Sequence, residues 1–237
     1  MQYYSPQRVQ QLRLGRRNPL GCLIFMVVLI AGLAFLIYAY QTGTRISTKP
    51  HPTLVVTSCT GSIHIQAGKA ADQITIEGFP FPPYQLDQTS NTVTLNDCNR
   101  TIVVPAQTDL KINADTIDVI GVSGQMQLET NGGTITLAQA TLEGQSSLQN
   151  NGGPVRFSGA VAPQASCTFD VNGGSIDMAL PANAAFHIDV TGIIGSITSD
   201  FPNLLIQNDE VHADVGTAPS AHLKMDVNDS PIILKKI

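Results

Sequence analysis

The sequence predicts an all-β protein, a parallel β-solenoid with coils of about 21 residues, preceded by one N-terminal transmembrane helix. Three observations predict it. A short segment recurs at near-constant spacing. Apolar and polar residues alternate on both sides of it. A run of 21 residues without a charge lies near the amino end.

The recurring segment is Asn131-Gly132-Gly133-Thr134-Ile135-Thr136-Leu137. Asn151-Gly152-Gly153-Pro154-Val155-Arg156-Phe157 follows 20 residues later, and Asn172-Gly173-Gly174-Ser175-Ile176-Asp177-Met178 follows 21 after that. A further 21 residues on, Gly195-Ser196-Ile197-Thr198 keeps the glycine and the apolar position but loses the asparagine. Asn228-Asp229-Ser230-Pro231-Ile232-Ile233-Leu234 closes the chain in the same register. Upstream of these corners stand the alternating pairs Met126/Leu128, Ser146/Leu148, Cys167/Phe169, Ile188/Val190 and Leu223/Met225. Downstream stand Ile135/Leu137, Val155/Phe157, Ile176/Met178, Ile197/Ser199 and Ile232/Leu234. Polar residues fill the gaps, so one face of each strand is inside and the other is wet. The unit reads as strand, Gly-rich corner, strand and return. Its corner residues are Gly61, Asn131, Gly133, Asn151, Gly153, Asn172, Gly174 and Gly195.

Two arrangements satisfy this pattern. In a solenoid the repeats stack in parallel about 4.8 Å apart, and Asn131, Asn151 and Asn172 form an amide ladder. In the other, each Asn-Gly is a two-residue hairpin turn, which also pairs Leu128 with Ile135. The constant spacing favours coils. Leu54 to Ile65 fits the same template, with Gly61 as its corner glycine. Ile74–Ile76, Thr92–Leu95, Ile102–Val104, Leu110–Ile112 and Ile117–Ile120 read as strands with diverged corners. The insert Phe79 to Tyr84 carries three prolines, which excludes a central strand.

The amino end predicts an address. Leu20 to Tyr40 is long enough to span a hydrocarbon core of about 30 Å. Arg8, Arg13, Arg16 and Arg17 precede it, and no acidic residue occurs before Asp72. The positive-inside rule then assigns residues 1–19 to a cytoplasmic tail, 20–40 to an uncleaved single-pass anchor in the cell membrane, 41–50 to a tether and 51–237 to an extracytoplasmic domain. Cys22 falls in the span. Cys167 occupies an inward position as a small buried hydrophobe. Cys59 and Cys98 sit at apparent corners and are a candidate disulfide; two unpaired thiols remain the alternative.

With anchor, repeats and Gly-Ser-Ile strands in view, the chain resembles the bacterial putative-adhesin family of β-strand repeat proteins. The matching segments are Leu54 to Ile65, Asn172 to Pro181 and Phe186 to Phe201, and the resemblance covers residues 51–237. It departs from the family over Ser90 to Val122, where corner glycines are missing. The resemblance implies a β-helical domain of bacterial envelope proteins with an adhesive or envelope-associated role, and supplies no catalytic residues.

The chemistry legible in the sequence is sparse. Charged residues make up 13% of the chain and the net charge is −5, with scattered basic residues, which excludes nucleic acid as a partner. Asp170, Asp177 and Asp189 are candidate carboxylates for glycan cleavage, but outward aspartates on a strand are ordinarily solvated surface. The chain lacks Trp, and Tyr84 with Phe79 and Phe81 are the aromatic candidates for a sugar platform. His187 and His222 share a repeat phase, and a metal would require further converging ligands. No calcium nonapeptide, threonine row, phosphate loop or nucleophile set is present, so no cofactor or metal is expected. The expectation is a non-enzymatic protein that presents a stiff polar surface to a protein or cell-wall ligand. A self-assembling scaffold is the first alternative and a polysaccharide-active enzyme the second. Lys235 and Lys236 follow Ile232-Ile233-Leu234, as if guarding an exposed terminal edge and restricting the chain to weak self-association.

Overall fold

A computed structural model describes residues 19–78, 84–202, 204 and 210–237. The chain forms two units, Met1–Ala39 and Tyr40–Ile237. The first is represented by α1 (Pro19–Thr42). Proline suits the first helical turn, where its missing N–H is not needed, and the run that follows is free of further proline. Side chains are described for residues 23–34 of α1, and all are exposed. Among the described residues no helix is long and apolar enough to cross a membrane. The single-pass anchor over 20–40 is corrected on this finding, and the cell-membrane localisation and orientation built on it fall with it. The four arginines of the tail lie outside the described residues.

From Thr44 on, the regular elements among the described residues of the second unit are strands. In chain order these are β1 (Thr44–Ser47), β2 (Thr53–Gly68), β3 (Gln73–Ile76), β4 (Tyr84–Asp87), β5 (Thr92–Leu95), β6 (Arg100–Pro105), β7 (Asp109–Ile120), β8 (Ser123–Gly124) and β9 (Met126–Thr130). They continue with β10 (Ile135–Leu142), β11 (Gln145–Asn151), β12 (Val155–Val161), β13 (Ser166–Asn172), β14 (Ile176–Leu180), β15 (Phe186–Ser199), β16 (Val211–Val215) and β17 (Ala221–Lys236). Residues 41–50, expected as a tether, contain β1, which pairs antiparallel with β3 and buries Ile46.

Eight of these strands close a ring of parallel pairs. The ring runs β7, β9, β11, β13, β17, β14, β12, β10 and back to β7. The expected open solenoid is therefore corrected to a closed eight-strand parallel barrel. The physical reason lies in β7 and β17, which pass unbroken through a corner and serve both sides. The start of β7 pairs Leu110 with Met126, and its end pairs Ile117 with Ile135. The start of β17 pairs Cys167 with Leu223, and its end pairs Met178 with Leu234. Ala114 and Asp115 stand where other repeats carry Gly-Gly, so nothing interrupts β7 there. Repeat spacing specifies neighbours but not whether a corner ends a strand. The hairpin alternative fails as well, because β9 and β10, on either side of Asn131, pair in parallel with different strands.

Chain order and spatial order part company at both ends. β2 lies between β7 on one side and β5 and β6 on the other. β17 lies between β13 and β14 on one side and β15 on the other. Lys235 and Lys236 pair with Ala179 and Leu180, so the terminal strand is interior to the sheet and the guarded edge expected there is corrected. Outer positions carry antiparallel strands instead: β4 on β5, β3 on β6 and β16 on β15.

The inward phase fills the core. Met126, Leu128, Leu148, Cys167, Phe169, Ile188, Val190, Leu223 and Met225 are buried, as are Ile135, Leu137, Val155, Phe157, Ile176, Met178, Ile232 and Leu234. Ser146 joins them because its hydroxyl accepts from the Met126 amide at 3.1 Å and donates to the Glu143 carbonyl at 2.8 Å. Each large side chain moved out of water contributes about 1.5–3 kcal/mol, so this apolar stack is the main source of stability.

At the corners the two glycines divide the work. Gly132, Gly152 and Gly173 have φ of +96°, +109° and +72°, which L side chains rarely adopt. Gly133, Gly153 and Gly174 are needed for closeness. A Cβ on each would stand 1.6, 1.7 and 1.9 Å from the carbonyl oxygen of Asp115, Gly133 and Gly153, respectively. Outside this column runs an amide ladder. Asn151 donates to Asn131 at 3.3 Å, Asn172 to Asn151 at 3.1 Å and Asn228 to Asn172 at 2.9 Å. Gly195 is not a corner between strands; it sits at an irregularity within β15 opposite Ser230 and Pro231. Gly61 marks a bend inside β2, beside the Asn99 side chain.

Candidate interaction face

The outward residues of β7, β9, β11, β13, β17 and β15 line up because the pairs are in register and side chains alternate with a period of two. One row runs Lys111, Gln127, Ser147, Thr168, Lys224 and Asp189, and reaches His212 on β16. The row beside it runs Asn113, Glu129, Gln149, Asp170, Asp226 and Thr191. Three shallow hollows lie along this face. One of about 390 Å³ is lined by Lys111, Asn113, Gln127, Glu129 and Gln149, with Val55 and Thr57 of β2. One of about 280 Å³ adds Asn151, Asp170 and Asn172. The third, of about 480 Å³, is lined by His187, Asp189, His212, Ala213, Asp214 and His222.

The last hollow gathers more than the sequence suggested. His187 and His222, expected to share a phase, are register partners on β15 and β17, with ring centroids 4.6 Å apart and planes 22° from parallel. His187 Nδ1 lies 2.5 Å from Asp214 Oδ1, and its Nε2 lies 3.1 Å from the Pro219 carbonyl. His212 Nδ1 lies 2.6 Å from Asp189 Oδ1, and its Nε2 lies 3.4 Å from Glu210 Oε2. Hydrogen bonding to Asp189, then to Glu210, raises the His212 pKa above its ordinary value. Sequence reading passed over His212. The available signal was the repeated His-x-Asp of 187–189 and 212–214, which the antiparallel pairing of β15 and β16 sets face to face. Among the described residues no set of three or more His, Cys, Asp or Glu is placed to hold a metal ion.

The candidate carboxylates do not converge. Asp226 of β17 stands in register beside Asp170, and β17 separates β13 from β15, which carries Asp189. Asp177 belongs to β14 and pairs with Arg156 at 3.7 Å. Asp170, Asp177 and Asp189 thus form no acid and base pair across a common substrate position. Tyr84 is exposed on β4, while Phe79 and Phe81 lie outside the described residues. Cys59 and Cys98 are joined by a disulfide, with Cα atoms 5.7 Å apart. Such a bond persists in oxidising surroundings. Cys167 is free and buried, and burial pushes its thiol up to about 12, so it remains protonated and inert.

Fold and face together define a class: a closed parallel-strand β protein with a broad polar face. Comparison with known proteins adds little to that class. No family model matches the chain, and no curated protein matches it. A solved structure described as a putative cell adhesion protein from Clostridium sporogenes is similar at 9% identity and a TM-score of 0.41, covering 81% of this chain and 98% of that one. A likeness of that size carries no argument about this chain's function.

Proposed function

We propose that the protein is a non-enzymatic, adhesin-like binding protein that presents the polar face of β7 to β15 to a protein or cell-wall surface. One observation carries this reading. Six strands hold two in-register rows of polar and charged side chains beside a scaffold closed by parallel pairing, with three hollows open to solvent along them. A flat partner engages such a face through many weak contacts, whereas a small substrate is not surrounded by it. The scattered carboxylates support binding over catalysis, since glycan cleavage needs two of them flanking one bond.

The test is retention of the full chain on immobilised cell-wall glycan and on cells bearing surface proteins. Glu129→Lys, Asp170→Lys and Asp226→Lys together invert the acidic row without touching the core. Retention should fall at least about tenfold, since each reversed contact counts for on the order of 1 kcal/mol. Unchanged retention by the triple variant would remove this face from the proposal. Release of soluble sugar from the glycan would replace binding with an enzymatic reading.

A further inference from the structure

We infer that β16 is a pH-sensitive latch on β15, closed when His212 is imidazolium between Asp189 and Glu210 and loosened when it loses its proton. β16 is five residues long, and its described strand pairing is with Phe186–Val190 of β15 alone. Inward, Val211 and Val215 are buried. Outward, the two His-x-Asp triplets interlock, so that each ring faces the other strand's carboxylate.

The hydrogen-bond count sets the protonation state. A neutral imidazole has one N–H and one acceptor nitrogen, whereas the cation has two donors. His187 meets the Asp214 carboxylate on one nitrogen and the Pro219 carbonyl on the other. His212 meets the Asp189 carboxylate on one and Glu210 on the other. All four partners are acceptors. For His212 only the doubly protonated ring satisfies both contacts, so its neutral form leaves one acceptor facing a bare nitrogen lone pair. The charged and titratable neighbours from every side are Asp189 on β15, Asp214 on β16, Glu210 just before it, and His222 and Lys224 on β17. Three carboxylates thus attract the two rings. His222, stacked on His187, and Lys224, in register with Asp189, are the opposing cations.

The direction follows from linkage. A histidine whose pKa is raised on folding contributes stability that is fully present below its ordinary value, 6.5 for His212. That contribution is lost as pH rises through the higher folded value. The latch is therefore closed in mildly acid surroundings and loosens toward neutral and alkaline pH. Loosening bares the outer backbone groups of 186–190. These adjoin residues 194–199 of β15, whose described strand pairing is with β17 alone. The result is one longer open edge, of the kind another strand can join.

Amide hydrogen exchange on the full chain tests the latch, read as protection factors so that the intrinsic pH dependence of exchange is removed. Protection of residues 211–215 should fall about three- to tenfold between pH 5 and pH 8, while that of β13 stays level. His212→Gln keeps a donor at that site but cannot titrate, and should flatten the β16 profile. Asp189→Asn, as a single milder variant, should lower the midpoint of the His212 ring titration and weaken the dependence. A flat β16 profile in the native chain overturns the latch. So does an unchanged profile in the His212→Gln variant, or a native His212 midpoint at or below 6.5.

Discussion

The second glycine of each corner leaves no room for a methyl group. The Gly153 Cα sits so close to the preceding corner that a Cβ would stand 1.7 Å from the Gly133 carbonyl oxygen. Gly153→Ala should therefore cost about 3 kcal/mol in denaturant melts, the upper range for overpacking. Gly132→Ala differs in kind. It meets nothing within 4 Å but holds φ at +96°, and should cost about 1–2 kcal/mol through backbone strain. Gly195→Ala should cost less than either, about 1 kcal/mol, because its Cβ would press on the Ser230 carbonyl carbon at 3.3 Å without overlapping it. A Gly195 variant as costly as Gly153→Ala would return it to the corner series. Sequence alone placed all these glycines in one series. It could not separate the two roles, since a need for positive φ and a need for close approach leave the same letter. The asparagines carried more information. The ladder runs from Asn172 to Asn228 and skips the intervening repeat, where Ile193 holds the asparagine position in register with Asn228.

At the scale of elements, strand existence and facing were legible because period-2 alternation is a direct trace of burial. Phe169, placed inward by phase, is fully buried, and Phe169→Ala should cost about 3–5 kcal/mol. A loss below 1 kcal/mol in urea melts would contradict its place in the core. The order of strands was not legible. β17 enters between β13 and β15 although Pro231 lies 35 positions along the chain from Ser196, its register partner on β15. Nothing local in a strand says which neighbour it takes when two candidates share a phase. The Cys59–Cys98 bond fastens the other place where order is broken, linking β2 to the loop before β6. It closes a sequence separation of 39 residues, for which loop-closure entropy gives about 4 kcal/mol. Replacing both cysteines with serine should lower stability by about 2–4 kcal/mol, read from denaturant midpoints at constant slope. Equal stability of oxidised and reduced protein would show that β2 is held in place by its ladders alone.

For the molecule as a whole, closure changes how stability is shared. In a linear repeat array each unit touches only its neighbours, and damage at one end frays that end. Here β7 and β17 each belong to both arcs of the ring, so loosening either one disturbs strands on the opposite arc. Met225 is buried on β17, in register with Phe169 of β13 and Val190 of β15. Met225→Ala should cost about 2–5 kcal/mol. The loss should appear in the slowest-exchanging amides of β14 and β12 as well as of β13, because opening of β17 breaks both arcs. It should also appear as one unfolding transition with the same midpoint by far-ultraviolet circular dichroism and by calorimetry. In an array without closure, protection would fall in β13 and β15 while β12 and β10 kept the native value. Exchange confined in that way would show that the two arcs unfold independently, and that the ring of hydrogen bonds does not act as one cooperative body.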